Sequence, residues 1–533
     1  MNALESASQR LDSGIRANLR YDFPAGVVVF LVALPLCLGI ALASNAPLFS
    51  GIIAGIVGGI IIAPLSGSAL SVSGPAAGLA VIVAQGIATA GDFRAFLAAV
   101  VLAGLFQIVF ALIRGGGLAD YIPNCVIKGM LAGIGIVIIL KQIPHALGRD
   151  QDFTFTDTLS FLNFEESSTI GAIIAGIFSA QPTAVGITLL SLVVLLVWEH
   201  PRLKQIPWLI LLPGPLVVVV LGLLINETLR WSGSQLYLRA EEAHLVALPV
   251  ATDLQSFIAQ FTFPDVQALQ RAEIIKLALT LAVVASLETL LCVEASDKMD
   301  PFKRISQPNR ELFAQGVGNM VSGLIGGLPL TSVIVRTTAN IYAGGRTRMS
   351  AFIHGLLLLF AVFSIPGLLN RIPIASLAAI LLLVGYKLAR PELFKSMYAQ
   401  GYAQFAPFVV TVVAIVATDL LMGIGIGLVF GLFFVIRANY RSAVTLVSHE
   451  DAYLLRFNKD ATFINKIELK RKLQSIPDGA TLFIDGTRAL YVDQDILDVV
   501  DEFRAAARYR NITVSTSNFD EKAPRLPQPQ PAH

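Results

Sequence analysis

Two short stretches with similar beginnings decide how this chain must fold. SGPAAG (residues 73–78) opens an apolar segment over residues 73–88, and GGLP (residues 326–329) directly precedes a second apolar segment over residues 330–343. Both segments are short for a bilayer crossing, which needs about 20 helical residues. Both also begin with residues that start helices, a Ser or Thr able to cap and a Pro near the first turn. Such a matched pair is typical of a binding site between two inverted repeats of a membrane transporter.

The composition is that of a protein embedded in a membrane. Of the 533 residues, 55% are apolar and only 14% are charged, whereas soluble proteins carry about 25% charged residues. The apolar residues occur in runs of about 17–24, the length that spans a bilayer. These features exclude a soluble enzyme, and the net charge of +2 is too small to predict a nucleic-acid partner. Cys37, Cys125 and Cys292 have neither metal-ligand nor disulfide spacing.

The apolar runs predict fourteen membrane-spanning segments. Their approximate ranges are 23–43, 48–64, 73–88, 93–113, 124–141, 182–198, 207–226, 272–293, 310–326, 330–343, 347–366, 372–389, 404–419 and 420–437. The two short segments are third in the first seven and third in the second seven. Because seven crossings is an odd number, the two halves have opposite orientations. We therefore predict an α-helical polytopic fold built as a 7+7 inverted repeat, with repeat one over about 23–226 and repeat two over about 272–437.

The distribution of basic residues predicts that both termini are cytoplasmic. With the amino terminus inside, the loops after even-numbered spans face the cytoplasm, and these loops are rich in Lys and Arg, as cytoplasmic loops are. They contain Arg114, Arg202, Lys204, Lys298, Lys303, Arg304, Arg310, Arg346, Arg348, Lys387, Arg390 and Lys395. In the outside loops the clear cases are Arg94, Arg149 and Arg371.

The carboxyl-terminal part of the chain has a different composition. From Tyr440 onward 26 of 94 residues are charged, against 50 of the preceding 439, which predicts a small soluble domain after the membrane domain. The predicted organisation is a cytoplasmic segment over 1–22, a membrane domain over 23–437, a cytoplasmic α/β domain over 445–518 and a flexible tail over 519–533. Within the α/β domain, short strands are expected at 453–457, 461–465, 480–485 and 511–517, and a helix at 496–510.

Four separated blocks of the chain resemble the SulP (sulfate permease) family of anion transporters. They are residues 22–35, 122–148, 309–348 and 373–390. The most specific is NRELFAQGVGNMVSGLIGGLPLTSVIVRTTANIYAGGRTR at 309–348, which is similar to the ninth and tenth helices of that family. The resemblance implies a core domain that binds the anion, a gate domain against which it moves, and a homodimer in the plasma membrane.

The carboxyl-terminal domain resembles a STAS domain, the usual cytoplasmic appendage of the family. Its loop Asp485-Gly486-Thr487 is similar to a loop that accepts a phosphate in related regulators, and an ordinary solvated turn is the alternative.

The starts of the third and tenth segments are the predicted anion site. An anion that loses hydration near the membrane centre needs dipoles in return, and two helix amino termini supply N–H groups and partial positive charge. The expected anion-binding residues are Ala76, Ala77, Gly78, Thr331, Ser332, Val333 and Arg336. Small side chains let the anion approach the backbone, and the two hydroxyls add donors. Such a pocket fits bicarbonate or sulfate better than a bulky organic anion.

Glu288 is the predicted cation-coupling residue. It lies well inside the eighth span, in LALTLAVVASLETLLCVEAS, where a charge costs about 2.5–3.5 kcal/mol on insertion scales and therefore indicates function. It either holds Na⁺ together with hydroxyls and carbonyls or binds a proton. The resemblance implies a cation-coupling carboxylate here, and the expected set is Glu288, Cys292, Ser332, Val333 and Ile334.

Arg336 is the natural neighbour of Glu288, since it lies well inside the tenth span. It either raises the local potential for the anion or neutralises Glu288 between transport steps, and a purely structural Arg336–Glu288 pair is the alternative. The polar residues Gln315, Asn319 and Asn340 are expected to join helices rather than bind ligands.

Together these patterns predict a secondary active transporter of a small inorganic anion and not an enzyme. Bicarbonate driven by Na⁺ is favoured over sulfate driven by H⁺, and no cofactor is expected apart from Na⁺ as a coupling ion. Two further classes stay open. One is an uncoupled exchanger or channel in which Glu288 is structural, and the other is a membrane sensor or scaffold that signals through the STAS-like domain.

Overall fold

Fourteen apolar segments form helices close to the predicted spans. The computed structural model describes residues 15–117, 123–149, 176, 178, 180–200, 212–239, 244–250, 253–418, 420–440, 443–449 and 451–519. The helices are α1 (Ile15–Ala43), α2 (Leu48–Leu65), α3 (Ala80–Ala90), α4 (Phe93–Leu112), α5 (Asn124–Ala146), α6 (Pro182–Trp198), α7 (Gly214–Trp231), α8 (Ala272–Met299), α9 (Pro308–Leu324), α10 (Ile334–Tyr342), α11 (Met349–Ser364), α12 (Ile374–Leu388), α13 (Tyr402–Ala417) and α14 (Leu420–Tyr440). Seven helical stretches among the described residues are long and apolar enough to cross a membrane, and five further apolar helices are shorter.

Several bounds differ from the sequence prediction, the start of α7 among them. Helix α7 begins at Gly214 rather than near residue 207, and residues 201–211 lie outside the described residues. Pro213 stands directly before this helix and restricts the backbone of the residue before it away from the helical region. Short helices also occupy connections, namely Leu254–Ile258, Pro366–Leu369 and Pro391–Ala399, with a 3₁₀ turn over Val266–Gln270.

The third and tenth segments are each a strand followed by a half-helix. Strand β1 (Ser73–Pro75) leads through a 3₁₀ turn over Ala77–Leu79 into α3, and strand β2 (Leu330–Ser332) leads into α10. The two strands pair antiparallel, with the register centred on Gly74 opposite Thr331. Pairing satisfies backbone groups that have no helical partner, which is required inside a membrane.

The packing of the helices repeats with a shift of seven. Helix α4 packs on α9, and the equivalent pair α11 and α2 also packs together. Helix α8 packs on α4 just as α1 packs on α11, and α5 packs on its own equivalent α12. A pseudo-twofold relation between the halves is the simplest cause of these matched contacts. The predicted inverted repeat is therefore confirmed.

Glycines let the equivalent helix pairs approach closely. A Cβ added to Gly104 of α4 would lie 2.5 Å from the carbonyl oxygen of Gly316 in α9. In the equivalent pair, a Cβ added to Gly59 of α2 would lie 2.5 Å from the Cα of Gly355 in α11. Both distances are far below van der Waals contact. Small residues at such crossings are typical of membrane helices, whose association depends on close packing.

The carboxyl-terminal unit has its own core and a four-stranded sheet. The chain divides into two compact units between Leu428 and Val429. In the second unit the strands are β3 (Val444–His449), β4 (Ala452–Phe457), β5 (Thr481–Asp485) and β6 (Thr513–Ser517), in that order across the sheet. Its helices are α15 (Lys466–Gln474) and α16 (Gln494–Ala507). The first strand pair is antiparallel and the other two are parallel.

Three of the expected strands and the helix of this unit are present, but one expected strand is wrong. Residues 461–465 contribute only a single bridge, from Ala461 to Val492, and Phe463–Asn465 form a 3₁₀ turn that leads into α15. The side chain of Thr462 caps this turn together with Asn465. Such a capping box marks the start of a helix, but the alternation of apolar residues predicted a strand instead. Strand β3 and helix α15 were not predicted.

Asn319 fixes the backbone of β2. Its Oδ1 accepts the N–H of Leu330 at 2.6 Å, while its Nδ2 donates to the Leu330 carbonyl at 3.1 Å and to Gln107 Oε1 of α4 at 2.7 Å. All of these groups are buried. The amide therefore replaces helical partners for the unwound residue, and it joins helices as the sequence predicted.

We expect Asn319→Ala to destabilise the membrane domain by about 1–3 kcal/mol, because it leaves buried Leu330 groups without a partner. The measurement is the thermal unfolding midpoint of the purified protein in detergent. Gln404→Ala removes an amide from an exposed position of α13 and should leave the midpoint unchanged. Equal midpoints for the two variants would contradict the role of Asn319.

Candidate functional site

The crossing of β1 and β2 brings two helix starts together. The N–H of Val333 donates to the carbonyl of Val72 at 2.9 Å, which ties the start of α10 to the residue before β1. Ala76 and Val333 precede the two helical segments with extended backbone, and their own side chains cap neither helix. The N–H groups of a first turn carry the partial positive charge of a helix terminus, and here those of Gly78 and Ile334 bond to side chains of α8. The site thus offers two such termini near one point.

Glu288 of α8 lies against the start of the first half-helix. Its carboxylate accepts a hydrogen bond from the backbone N–H of Gly78. A Cβ added to Gly78 would lie 2.5 Å from Oε1 of Glu288, so only glycine allows this approach. The other oxygen, Oε2, is buried and has no hydrogen-bond partner among the described residues. One carboxylate oxygen is therefore held in place, and the second has unused capacity as an acceptor or ligand.

The same helix also contacts the second half-helix. Cys292, one turn beyond Glu288, accepts the N–H of Ile334 at its Sγ, and Thr289 accepts the N–H of Ser332 at 3.3 Å. Helix α8 thus joins both half-helix starts, and the expected cation-coupling residues lie together. Thr289 was not predicted, although its place beside Glu288 in an apolar run was a usable signal.

Only part of the expected anion site is accessible. Ala77, Val333 and Ile334 are partly exposed, whereas Thr331 and Ser332 are fully buried. The Ser332 hydroxyl forms a short contact with that of Ser71, and the Thr331 hydroxyl donates to the Ser332 carbonyl at 3.2 Å. The two hydroxyls therefore hold the strand crossing together. An approaching anion would meet small or aliphatic side chains and the backbone.

Arg336 lies behind the strand crossing and does not pair with Glu288. Its guanidinium is fully buried, Nη2 lies 3.3 Å from Cys37 Sγ, and a Cβ added to Gly74 would lie 2.0 Å from Nη1. No carboxylate of the described residues lies within 4.0 Å of it. Its Nε and Nη1 have no hydrogen-bond partner there either. The cation therefore acts on its surroundings through its field and not by direct contact with Glu288.

A cation at this site would be held by few side-chain ligands. Among the described residues, no group of three or more His, Cys, Asp or Glu side chains is placed to hold a metal ion. Glu288 Oε2 has no hydrogen-bond partner among the described residues, and the hydroxyl of the adjacent Thr289 contacts the unwound backbone at Ser332. Unwound backbone beside a half-helix is a usual place for Na⁺ in transporters, because its carbonyls are free to bind.

Glu311 is a buried carboxylate that sequence reasoning did not single out. It lies in the first turn of α9 and is fully buried. Its Oε2 accepts the Ser66 hydroxyl at 2.5 Å and the Gly67 N–H at 2.9 Å, and Gln315 joins its Oε1 to the Ser73 hydroxyl. These bonds fix the connection that leads into β1. Because Glu311 lies at the edge of a predicted span, its burial was not expected from the sequence.

Comparison with known proteins gives a consistent result. Residues 19–414 match the model of the Sulfate permease family. The chain is 27% identical over 421 residues to a Bacillus subtilis protein named "Putative sulfate transporter YvdB", which covers 78% of this chain and 73% of that protein. It is 28% identical over 422 residues to the bicarbonate transporter BicA of Synechocystis sp., which covers 77% of this chain and 68% of that protein.

The fold is also similar to a solved structure. The transmembrane domain of a cyanobacterium bicarbonate transporter BicA superposes with a TM-score of 0.64 at 26% identity, covering 76% of this chain and 98% of that one. The family match extends from the first span into α13 and includes both half-helices and Glu288. The chain therefore belongs to the sulfate permease family and is a membrane-embedded anion transporter.

Proposed function

We propose that this chain imports a small inorganic anion by coupling its movement to that of a cation. Bicarbonate with Na⁺ is the favoured pair, and sulfate with H⁺ is the second candidate. The single observation that carries the proposal is the position of Glu288, whose carboxylate contacts the start of one half-helix while its own helix contacts the other.

The anion is proposed to bind in front of the two half-helix starts. Ala77, Val333 and Ile334 are partly exposed there, and Ala76 and Gly78 contribute backbone beside them. Side chains of this size let a three- or four-oxygen anion approach the N–H groups, which are the natural partners of anions at helix termini. The buried charge of Arg336 adds a positive potential that water does not screen strongly.

The coupling ion is proposed to bind at Oε2 of Glu288. That oxygen has no hydrogen-bond partner among the described residues, and a buried carboxylate without one carries a large desolvation cost. Either Na⁺ or a proton relieves this cost. Na⁺ is favoured because it needs several oxygen ligands, and Thr289 and the unwound backbone around Ser332 would supply them. A proton would need no ligand beyond the carboxylate itself.

The same helix contacts link the two binding events. Glu288 and Cys292 touch the half-helices that are proposed to receive the anion, so a cation bound at Glu288 stabilises both starts in their present positions.

An uncoupled exchanger or channel is the rival proposal, in which Glu288 only holds Gly78. The third proposed function is that of a membrane sensor, which signals through its carboxyl-terminal unit.

The domain roles and the setting are proposed from the sequence and the family. Residues 23–437 form the transport domain, with anion-binding core and gate parts, and residues 445–518 form a regulatory domain of STAS type. In that domain, hydrogen bonds from the Thr487 hydroxyl and backbone N–H keep the pKa of Asp485 below its usual value, as does the Arg456 guanidinium. The protein is a homodimer of the plasma membrane with both termini cytoplasmic.

Transport in proteoliposomes tests the function. Purified protein is reconstituted, and uptake of labelled bicarbonate or sulfate is measured with an inward Na⁺ gradient, an inward H⁺ gradient or neither. Bicarbonate accumulation that requires Na⁺ supports the favoured pair. Sulfate accumulation that requires H⁺ supports the second, and equal exchange without any gradient supports the uncoupled rival.

Glu288→Gln should abolish cation-driven accumulation, because the amide keeps the volume of the side chain and loses its charge. Glu294→Gln is the matched control, since Glu294 is an exposed carboxylate of the same helix that pairs with Lys298. The measurement is uptake as a function of cation concentration, with the unfolding midpoint as a check of folding. Unchanged cation dependence in Glu288→Gln would refute the coupling role.

Gly78→Ala should raise the half-saturating concentration of the coupling cation about tenfold or more. The added Cβ displaces the Glu288 carboxylate and weakens a hydrogen bond to a charged group, a change of about 1.5–3 kcal/mol. Gly186→Ala of α6 is the control, because a Cβ there meets nothing within 4 Å. If Gly78→Ala transports with the cation affinity of the parent protein, the close contact has no part in coupling.

Truncation after Tyr440 should leave a membrane domain that binds the anion and transports at a changed rate. Helices α1 to α14, which include Glu288 and Arg336, end at or before that position. Anion binding by the purified truncated protein is measured by calorimetry beside the full chain. A truncated protein that is monodisperse but binds no anion, where the full chain does, would place part of the site outside the membrane domain.

A further inference from the structure

A cavity of about 540 Å³ lies at one end of the membrane domain, away from the half-helix starts. Its walls come from the end of α2 at Pro64, from Ala69 in the connection to β1, and from Met349 and Phe352 in the first turn of α11. A volume of this size is within the range of about 300–1,000 Å³ for ligand pockets. Neither the anion site nor the coupling site uses these residues.

The apolar part of the cavity is continuous with a lipid-facing stripe of α11. Phe352 is half-buried, and Leu356, Phe360 and Phe363 follow it at helical spacing with 44%, 66% and 45% exposure. Residues three or four apart lie on one face of a helix. Large exposed apolar side chains on a membrane helix face hydrocarbon. The cavity therefore stands at the end of a surface that acyl chains cover.

The polar part of the cavity is formed by two arginines. Arg304 is held by Asp300 at 2.7 Å, and Arg348 donates its Nε to the Ser68 carbonyl at 2.9 Å. Among the described residues, no carboxylate lies within 4.0 Å of Arg348, which leaves its charge uncompensated by a contact ion pair. Burial and the nearby charges of Arg310 and Arg304 lower the pKa of Arg348, while the charge of Glu311 acts in the opposite direction.

This end of the domain is the one proposed to face the cytoplasm. Arg304, Arg346 and Arg348 belong to loops, and Arg310 to the first turn of α9, at the end assigned there by the excess of basic residues. The cytoplasmic leaflet is the one that carries a negative surface charge, and basic pockets between helices on that side bind anionic headgroups. Arginine suits this task because its fork of N–H groups matches a phosphate. Arg304 shares its fork with Asp300, whereas Arg348 donates only its Nε to the described residues.

We propose that this cavity binds an anionic phospholipid of the cytoplasmic leaflet, with its phosphate on Arg304 and Arg348 and an acyl chain against Met349 and Phe352. A soluble phosphate compound would use only the arginines and leave the apolar walls uncovered. The inference rests on the proposed orientation of the chain but not on the identity of the transported ions.

Native mass spectrometry of the full-length protein in a non-ionic detergent tests the proposal. Phosphatidylglycerol and phosphatidylcholine with identical acyl chains are added in equal amounts, and the lipid retained by the protein is compared. We expect phosphatidylglycerol to be retained at least about fivefold more, and Arg348→Gln to lower its retention about fivefold, as expected for one basic contact near a membrane surface. Lys395→Gln removes an exposed charge from the same side of the membrane and should change retention less than twofold.

A second variant keeps the proposal falsifiable if Arg348→Gln fails to fold. Ala69→Glu leaves both arginines and their bonds in place but adds a negative charge to the wall, so it should also lower phosphatidylglycerol retention. Glycerol 3-phosphate, which has the same phosphate without acyl chains, should not compete at equal concentration. Equal retention of both lipids, no effect of Ala69→Glu, or full competition by glycerol 3-phosphate would each overturn the lipid site.

Discussion

The antiparallel contact between β1 and β2 is the constraint on which the membrane domain depends. Six residues leave the helical conformation at this point, in a solvent that does not hydrogen-bond to exposed backbone. Pairing Gly74 with Thr331 satisfies part of this backbone, and the Asn319 amide satisfies Leu330. The remaining N–H groups belong to the two half-helix starts. Of these, the N–H groups of Gly78 and Ile334 bond to Glu288 and Cys292, so the constraint that forces the strands to pair also brings α8 against both starts.

The repeat explains why so many parts of the domain occur twice. The close approach of α4 and α9 through Gly104 and Gly316 has its equivalent in α11 and α2. The half-helices are equivalent to each other, but the residues around them are not. Arg336 belongs to one half, and the carboxylate of Glu288 contacts the other. The symmetry therefore positions the backbone, and differences between the repeats supply the charges.

Much of this architecture follows from local features of the sequence. The long apolar runs, together with Pro75 and Pro329, showed where the third and tenth segments are interrupted. The count of seven segments in each half then predicted the inverted repeat. Glu288 was identified by its charge in an apolar run, and it does lie at a half-helix start. The position of Arg336 was harder to predict from the sequence, because the direction in which a residue of α10 faces depends on how deeply the two strands cross. Likewise, the burial of Glu311 and the turn at Phe463–Asn465 depend on contacts with residues distant in the chain or on capping.

The separation of Arg336 from Glu288 bears on stoichiometry. With Glu288 ionised, the two side chains carry no net charge when the site is empty. Under the proposed mechanism they again carry none when one Na⁺ and one monovalent anion are bound, but a single bound ion leaves one unit of charge. Moving that charge through a low-dielectric interior is costly. A protein with only one of the two ions bound therefore resists the conformational change that carries the ion across the membrane. A divalent anion would need two cations to reach the same neutrality, and the ratio of ions carried per cycle then follows from the valence of the anion.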